Sequence, residues 1–230
     1  MKKFCVLFFI IFTGSIFSQQ PVSIGGLTVK KVIRNIQDSF DAINTYRAKF
    51  DIVVEEGSKK TFMKGSVKYK KPETMILIFD QPEGQIIYSD GRRMRIYIPY
   101  LHVVAEQRLT VDSAGEDVIL AGTKSSFNQM LKQYNFSFSK EEIKTSGGRK
   151  YYVLRLVQKN VYSGFKTIEL WISEKWFIIK AKGTTREGRV VTISFSNIEV
   201  NTPINDAEFT FTLPLDSQTV YDPFYKVSTK

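Results

Sequence analysis

The chain has 230 residues, 33 Lys and Arg against 23 Asp and Glu, a net charge of +10, one histidine and one cysteine. That length supports a hydrophobic core of its own, and the scarcity of sulfur and imidazole excludes a disulfide-stapled scaffold and a thiolate–histidine metal centre. The positive balance favours anionic headgroups or acidic partner surfaces, with a solvated outer face as the plain alternative; nucleic acid is set aside, because no helix-turn-helix, zinc-knuckle or RNA-binding sheet signature occurs.

In chain order, Lys2 and Lys3 precede an apolar run from Phe4 to Phe17, and small Ser18 is followed by polar Gln19 and Gln20. This is the three-part layout of a secretory signal peptide, predicting cleavage after Ser18 and export; the run is shorter than the roughly 20 residues of a spanning helix. An uncleaved anchor is the alternative. Cys5 lies before the apolar run instead of after it, so it does not mark a lipidation site, and residues 19–230 contain no cysteine.

Val29, Val32, Ile33, Ile36, Phe40 and Ile43 recur at helical spacing after Gly25-Gly26, predicting an amphipathic helix. From Tyr46 the period becomes two, and strands are expected at 46–55, 62–69, 75–79, 86–88, 94–98 and 102–109. Lys71-Pro72 and Gln81-Pro82 end two of them, and Ser89-Asp90-Gly91 is a hairpin turn. Ser113 with Glu116, and Ser126 with Gln129, are capping signals for two short helices within 113–133. Strands resume at 135–139, 150–159, 165–173, 177–183 and 190–200, with Phe209–Leu213 as the last. The fold class is mainly β with α: about eleven strands in a half-open antiparallel barrel with a helical lid, forming a single domain over 19–230 after the signal peptide at 1–18.

A curled sheet of this size encloses space, which smaller barrels fill and wider ones use for a ligand. The concave candidates are Phe50, Ile52, Val67, Tyr69, Met75, Leu77, Phe79, Ile87, Met94 and Ile96; those of the lid are Val118, Ile119, Phe127, Met130 and Leu131. The same residues could simply form a core, and periodicity alone leaves pocket and core both open.

The ordered blocks Lys64–Tyr100 (K-G-S-V-K-Y-K-K-P, an apolar strand ending in Gln-Pro, then Ser-Asp-Gly) and Asn205–Pro214 (N-D-A-E-F-T-F-T-L-P) resemble the outer-membrane lipoprotein carrier family, LolA, over essentially the whole exported chain. The resemblance implies a periplasmic, monomeric carrier that hides acyl chains of lipoproteins in an apolar cavity. It implies cargo taken from an inner-membrane lipoprotein-releasing transporter and passed to an outer-membrane acceptor. In the family an Arg before the corner Pro holds the lid closed; Lys71 stands there in this chain. Lysine keeps the charge but lacks the planar five-donor fork, which implies a looser latch, or one shared with Lys70 or Arg92. Arg95 replaces a common aromatic, and alternation turns it away from Met94 and Ile96. The same fold also serves envelope-stress sensors that bind a regulatory partner, and free lipids or glycolipids are an alternative cargo.

No catalytic constellation is read. His102 lies in a strand pattern without triad partners, no H-E-x-x-H, G-x-S-x-G or phosphate loop occurs, and no cofactor or metal is implied.

Overall fold

The computed structural model describes residues 23–24, 26–109, 124–146, 149–160, 164–212 and 214–222. The signal segment at 1–18, the first capping signal at Ser113, and lid candidates Val118 and Ile119 lie outside the described residues.

A two-residue hairpin, β1 (Ser23–Ile24) and β2 (Leu27–Thr28), leads into α1 (Val29–Ala42). Thr28 caps α1 by accepting the Lys31 amide at 3.2 Å, and the helix buries Val32 and Ile36 completely. Its first turn carries Lys30 and Lys31 and no acid, an arrangement the helix dipole disfavours by ~0.3–1 kcal/mol per charge.

Then come β3 (Thr45–Glu56), β4 (Lys59–Lys70), β5 (Thr74–Gln81), β6 (Ile86–Ser89), β7 (Arg93–Ile98) and β8 (Val103–Arg108). After α2 (Lys124–Gln133) follow β9 (Tyr134–Ser146), β10 (Arg149–Gln158), β11 (Phe165–Ser173), β12 (Ile178–Thr185), β13 (Val190–Val200) and β14 (Gln218–Tyr221). One sheet of twelve strands runs in the order β14-β8-β7-β6-β5-β4-β3-β13-β12-β11-β10-β9. It is antiparallel except where β14 joins β8 in parallel. β3 pairs with both β4 and β13, so the first long strand is the centre from which two wings curl. Register shifts at Lys64/Gly65, Tyr152/Leu154 and Ser196/Glu199 bend the long strands, since an extra residue in one strand increases local twist. The sheet is open between β14 and β9, and both helices cover its concave side.

Alternation puts Phe50, Ile52, Val67, Leu77, Phe79, Ile87 and Met94 on that concave face, where all are buried; Phe50 and Phe79 meet edge-on at 5.0 Å. Arg95 points the other way, donating to Glu106 at 2.7 Å. The Ser-Asp-Gly turn is held by Asp90, whose carboxylate accepts the Arg92 and Arg93 amides at 2.9 and 2.8 Å. Although partial burial opposes its charge, those amides keep the Asp90 carboxyl below its ordinary value.

Three expectations are corrected. Within Phe209–Leu213 the described residues 209–212 form no strand: Asp206–Phe209 is a 3₁₀ turn with an Asn205/Glu208 capping box, and the last strand among the described residues is β14. β5 is apolar on both faces, and Phe209 and Ile204 cover its outer residue Ile76, with Phe211 stacked on Tyr88 at 5.9 Å. The F-x-F spacing therefore serves a cover for the convex face. Ser126 lies inside α2 and not at its cap, because the helix begins at Lys124. His102 precedes the strand: it closes the 3₁₀ turn Pro99–Leu101 with φ 52° and contacts Asp216 at 2.9 Å.

The C-terminal cover is fastened by charge. Glu208 meets Lys68 at 2.9 Å and Arg47 at 3.5 Å, and Lys70 reaches Asp206. The hydrogen bond from Lys68 and the Asn205 amide hold the Glu208 carboxyl below its ordinary value of 4.5. A carboxyl lowered in the folded state adds stability above its unfolded value and loses it as pH falls through the folded one. Thermal melts should therefore fall below about pH 4.5, and less steeply in Glu208→Gln; parallel curves for the two proteins refute this fastening. A methyl on Gly65 would stand 2.1 Å from the Ile78 carbonyl oxygen and 2.9 Å from the Phe79 Cα, both backbone. Urea titration of Gly65→Ala should show a loss of about 1–3 kcal/mol or more, and a neutral result would contradict the close β4–β5 approach.

Candidate binding cavity

At the end of the barrel where α1 stops, β3 begins and β4 turns into β5, the described helices no longer cover the concave face. A cavity of ≈ 410 Å³ opens there, within the few hundred to roughly 1,000 Å³ usual for ligand sites. Val67, Leu170, Ala181 and Ile193 line it from the sheet, and Phe40, Phe127 and Met130 from the helices. Asp41, Lys71, Glu73, Lys124 and Asn128 surround it with polar groups. Burial pushes the phenols of Tyr46 and Tyr69 above their ordinary value, with the Glu73 charge adding to the effect on Tyr69. Both tyrosines line the cavity.

Of the residues read from the sequence as cavity wall, the structure brings Val67, Tyr69 and Met75 to this space, together with Phe127 and Met130 from α2 and Lys71 at the corner. Phe50, Ile52, Leu77, Phe79, Ile87 and Met94 share the concave face but sit in its close-packed part, with Ile96 packed against them; none lines the cavity. Leu131 is partly buried against the same core. Sequence reasoning missed Ile43 and Tyr46 at the α1–β3 junction and Leu170, Phe177, Ala181 and Ile193 from β11 to β13. Alternation marks Leu170, Ala181 and Ile193 as inward-facing, but carries no signal of where along a strand packing stops.

α2 brings Phe127, Asn128 and Met130 over the cavity. Beneath it, Phe127 meets Phe40 at 5.8 Å and Phe136 at 6.1 Å. Polar ties hold its length: Lys124 donates to the Asp41 carboxylate at 2.6 and 2.8 Å, Gln37 to Asn128 at 3.0 Å, and Lys159 to the last-turn carbonyls of Leu131 and Lys132 at 3.0 Å each. Lys71 donates to the Asp41 main-chain carbonyl at 2.5 Å, touching α1 and not α2. Asp41 thus joins the Lys71 corner to α2: its carbonyl takes one lysine and its carboxylate the other. Lys70, a candidate for sharing this task, is turned outward to Asp206. Among the described residues no group of three or more His, Cys, Asp or Glu could hold a metal ion.

The model for the outer membrane lipoprotein carrier protein LolA matches residues 41–212. The chain belongs to the LolA family. The outer-membrane lipoprotein carrier proteins of Photorhabdus laumondii and Nitrosomonas europaea are 21% and 23% identical to this LolA-family chain, each over 79% of it and over 83% and 85% of their own length. In structure it is similar to an uncharacterized conserved protein from Thermus thermophilus (TM-score 0.56, 11% identity, 84% of this chain and 98% of that one). It is also similar to MucB of the Pseudomonas aeruginosa MucA/MucB complex (TM-score 0.50, 12% identity, 82% of this chain and 62% of that one). At these identities the two structures speak to the LolA-like fold alone.

If Asp41 fastens α2, Asp41→Ala should speed amide exchange in α2 by up to about fivefold, as the loss of a single exposed ion pair allows, with the core strands unchanged. Unaltered exchange in 124–133 would show that apolar packing alone holds the helix.

Proposed function

We propose that the protein is a periplasmic carrier that takes acyl chains of lipoproteins into the cavity beneath α2. In this reading residues 1–18 are a signal peptide removed on export, and the remainder works as a monomeric single domain. The cargo comes from an inner-membrane lipoprotein-releasing transporter and goes to an outer-membrane acceptor. One observation carries it: a cavity of ≈ 410 Å³ walled by Val67, Leu170, Ala181, Ile193, Phe40 and Phe127, beneath a helix that exposed polar contacts tie down. An acyl chain in water loses about 0.8 kcal/mol per exposed methylene, so it enters such a space without any chemical step. Membership of the LolA family supports this cargo class, and the lining residues suit binding, with no nucleophile–base pair among them.

A second reading, a sensor module for a regulatory protein, draws on the likeness to MucB, solved in complex with MucA. The cavity favours the carrier, because a module that only docks a protein needs no room for a chain.

Filling the cavity separates the readings. Ala181 lines it from β12 and is 6% exposed, so Ala181→Phe should occupy the space from the sheet side. The variant should keep its melting temperature within a few degrees yet fail to hold an acylated lipoprotein in solution, while the unaltered protein forms a soluble complex with it. Equal retention of acylated and non-acylated lipoprotein, or full retention by Ala181→Phe, sinks the carrier reading; retention of free fatty acid or glycolipid but not lipoprotein reassigns the cargo.

A further inference from the structure

α1 and α2 lie side by side and antiparallel: Asp41 meets Lys124 and Gln37 meets Asn128, one turn further along each helix. Continued by another turn, this register puts Lys132 level with Ile33 and beside Arg34. Lys30, Lys31, Arg34 and Lys132 are all exposed, so this end of the helical layer is a cluster of cations. Lys159 adds its charge there by donating to the final carbonyls of α2, and Arg186 lies close by, bonded to Gln158 at 2.6 Å. Among the described residues, Glu55 and Glu56 at this end pair with Lys60 at 2.6 Å and Arg189 at 2.8 Å. Asp38 is one turn toward the cavity, and Glu187 is held within its own turn by its own amide and the Thr185 hydroxyl. The N-terminal end of a helix already carries positive partial charge, so Lys30 and Lys31 do not stabilise α1 where they stand.

The strands place exposed apolar groups at the same end of the barrel. β7 ends and β8 begins there, and the turn between them presents Tyr100 at 81% and Leu101 at 51% exposure. Leu215 is fully exposed in the stretch that the His102–Asp216 contact holds beside that turn. Phe62, 58% exposed, stands near the β3–β4 tip with Lys60 and Lys64 on the same face. Cations interleaved with exposed aromatic and aliphatic side chains are the chemistry of a protein that rests on a bilayer interface. The apolar groups are spread around the rim instead of being gathered in a groove. A fluid interface can admit each separately, whereas a folded partner protein would need a shaped patch.

We propose that this pole, opposite the cavity, is a docking surface for an anionic lipid bilayer. Lys30, Lys31, Arg34 and Lys132 meet the headgroups, and Tyr100, Leu101 and Leu215 enter the interface. Docked in this way, the cavity faces the aqueous side, free to meet a protein partner.

Protein purified from cells, and its Lys30→Gln/Lys31→Gln/Arg34→Gln variant, would be sedimented with vesicles containing phosphatidylglycerol and with vesicles of phosphatidylcholine alone. Binding to the anionic vesicles should fall as salt rises and should drop roughly 100-fold in the variant, since each cation near such a surface contributes about fivefold. Tyr100→Ser/Leu101→Ser should weaken binding while leaving its salt dependence in place. Neither set of changes should affect lipoprotein retention, so a failure here is distinguishable from a failure of the carrier reading. Equal binding to both vesicle types, no binding to anionic vesicles at low salt, or a variant that binds as well as the original overturns the proposal. Binding of the cluster to an acidic protein but not to vesicles overturns it too.

Discussion

The structure depends on a mismatch of lengths. β3 and β4 have 12 residues each, so at about 3.3 Å per residue they run for roughly 40 Å. α2 has 10 residues and α1 has 14, giving roughly 15 and 21 Å at about 1.5 Å per residue. Two such helices cannot cover the whole apolar face of a curled twelve-stranded sheet. Where they do, Val32 and Ile36 lock onto the sheet and Phe50, Leu77 and Phe79 are close-packed. Where α1 ends and α2 begins, the described residues give the sheet no roof of matching width, and a cavity lies below Phe40 and Phe127. The cavity thus follows from the lengths of the elements rather than from special residues in its wall.

That origin explains what was legible in the sequence. The helical spacing of Val32 and Ile36, the Pro-bounded corners and the Asp-Gly turn are local signals, and the elements they mark form as expected. Arg95 illustrates the strength of period-two reasoning: its outward direction follows from Met94 alone, and the structure supplies Glu106 as its partner. The cavity is legible only by face. Phe79 and Val67 look alike in alternation, yet one is core and the other lines the space, because the difference lies in which parts of α1 and α2 cover them, and neither helix adjoins them in sequence. Phe209–Leu213 misleads for a related reason. Its F-x-F spacing mimics a strand, but the Asn205/Glu208 capping box turns the chain, and the apolar outer face of β5 gives the aromatics a different surface to bury.

Asp41 carries more of the lid geometry than the corner residue singled out from the family pattern. Lysine at position 71 makes one bond, to a main-chain carbonyl, so its grip does not depend on the planar fork an arginine would bring. The work of reaching α2 falls to the Asp41 carboxylate and Lys124, whose side chains are 57% and 48% exposed. A link so open to water is weak and screened by salt, contributing on the order of 0–1 kcal/mol.

For the proposed carrier, the magnitudes then determine how an acyl chain would leave. The exposed ties on α2 amount to a few kcal/mol at most, so the burial of Phe127 and Met130 is what chiefly holds the helix down. An acyl chain of about 15 methylenes gains roughly 12 kcal/mol on leaving water, several times what any closing of α2 could return. Closure therefore cannot expel a chain into solution. In the proposed carrier, only a second apolar site offering comparable burial would empty the cavity at a useful rate. A cavity that the protein's own side chains leave unfilled would lower the barrier to exchange, because departure of the chain breaks few well-fitted contacts. For the carrier proposed above, direction of transfer would accordingly reside in the relative affinities of donor, carrier and acceptor for the same chain.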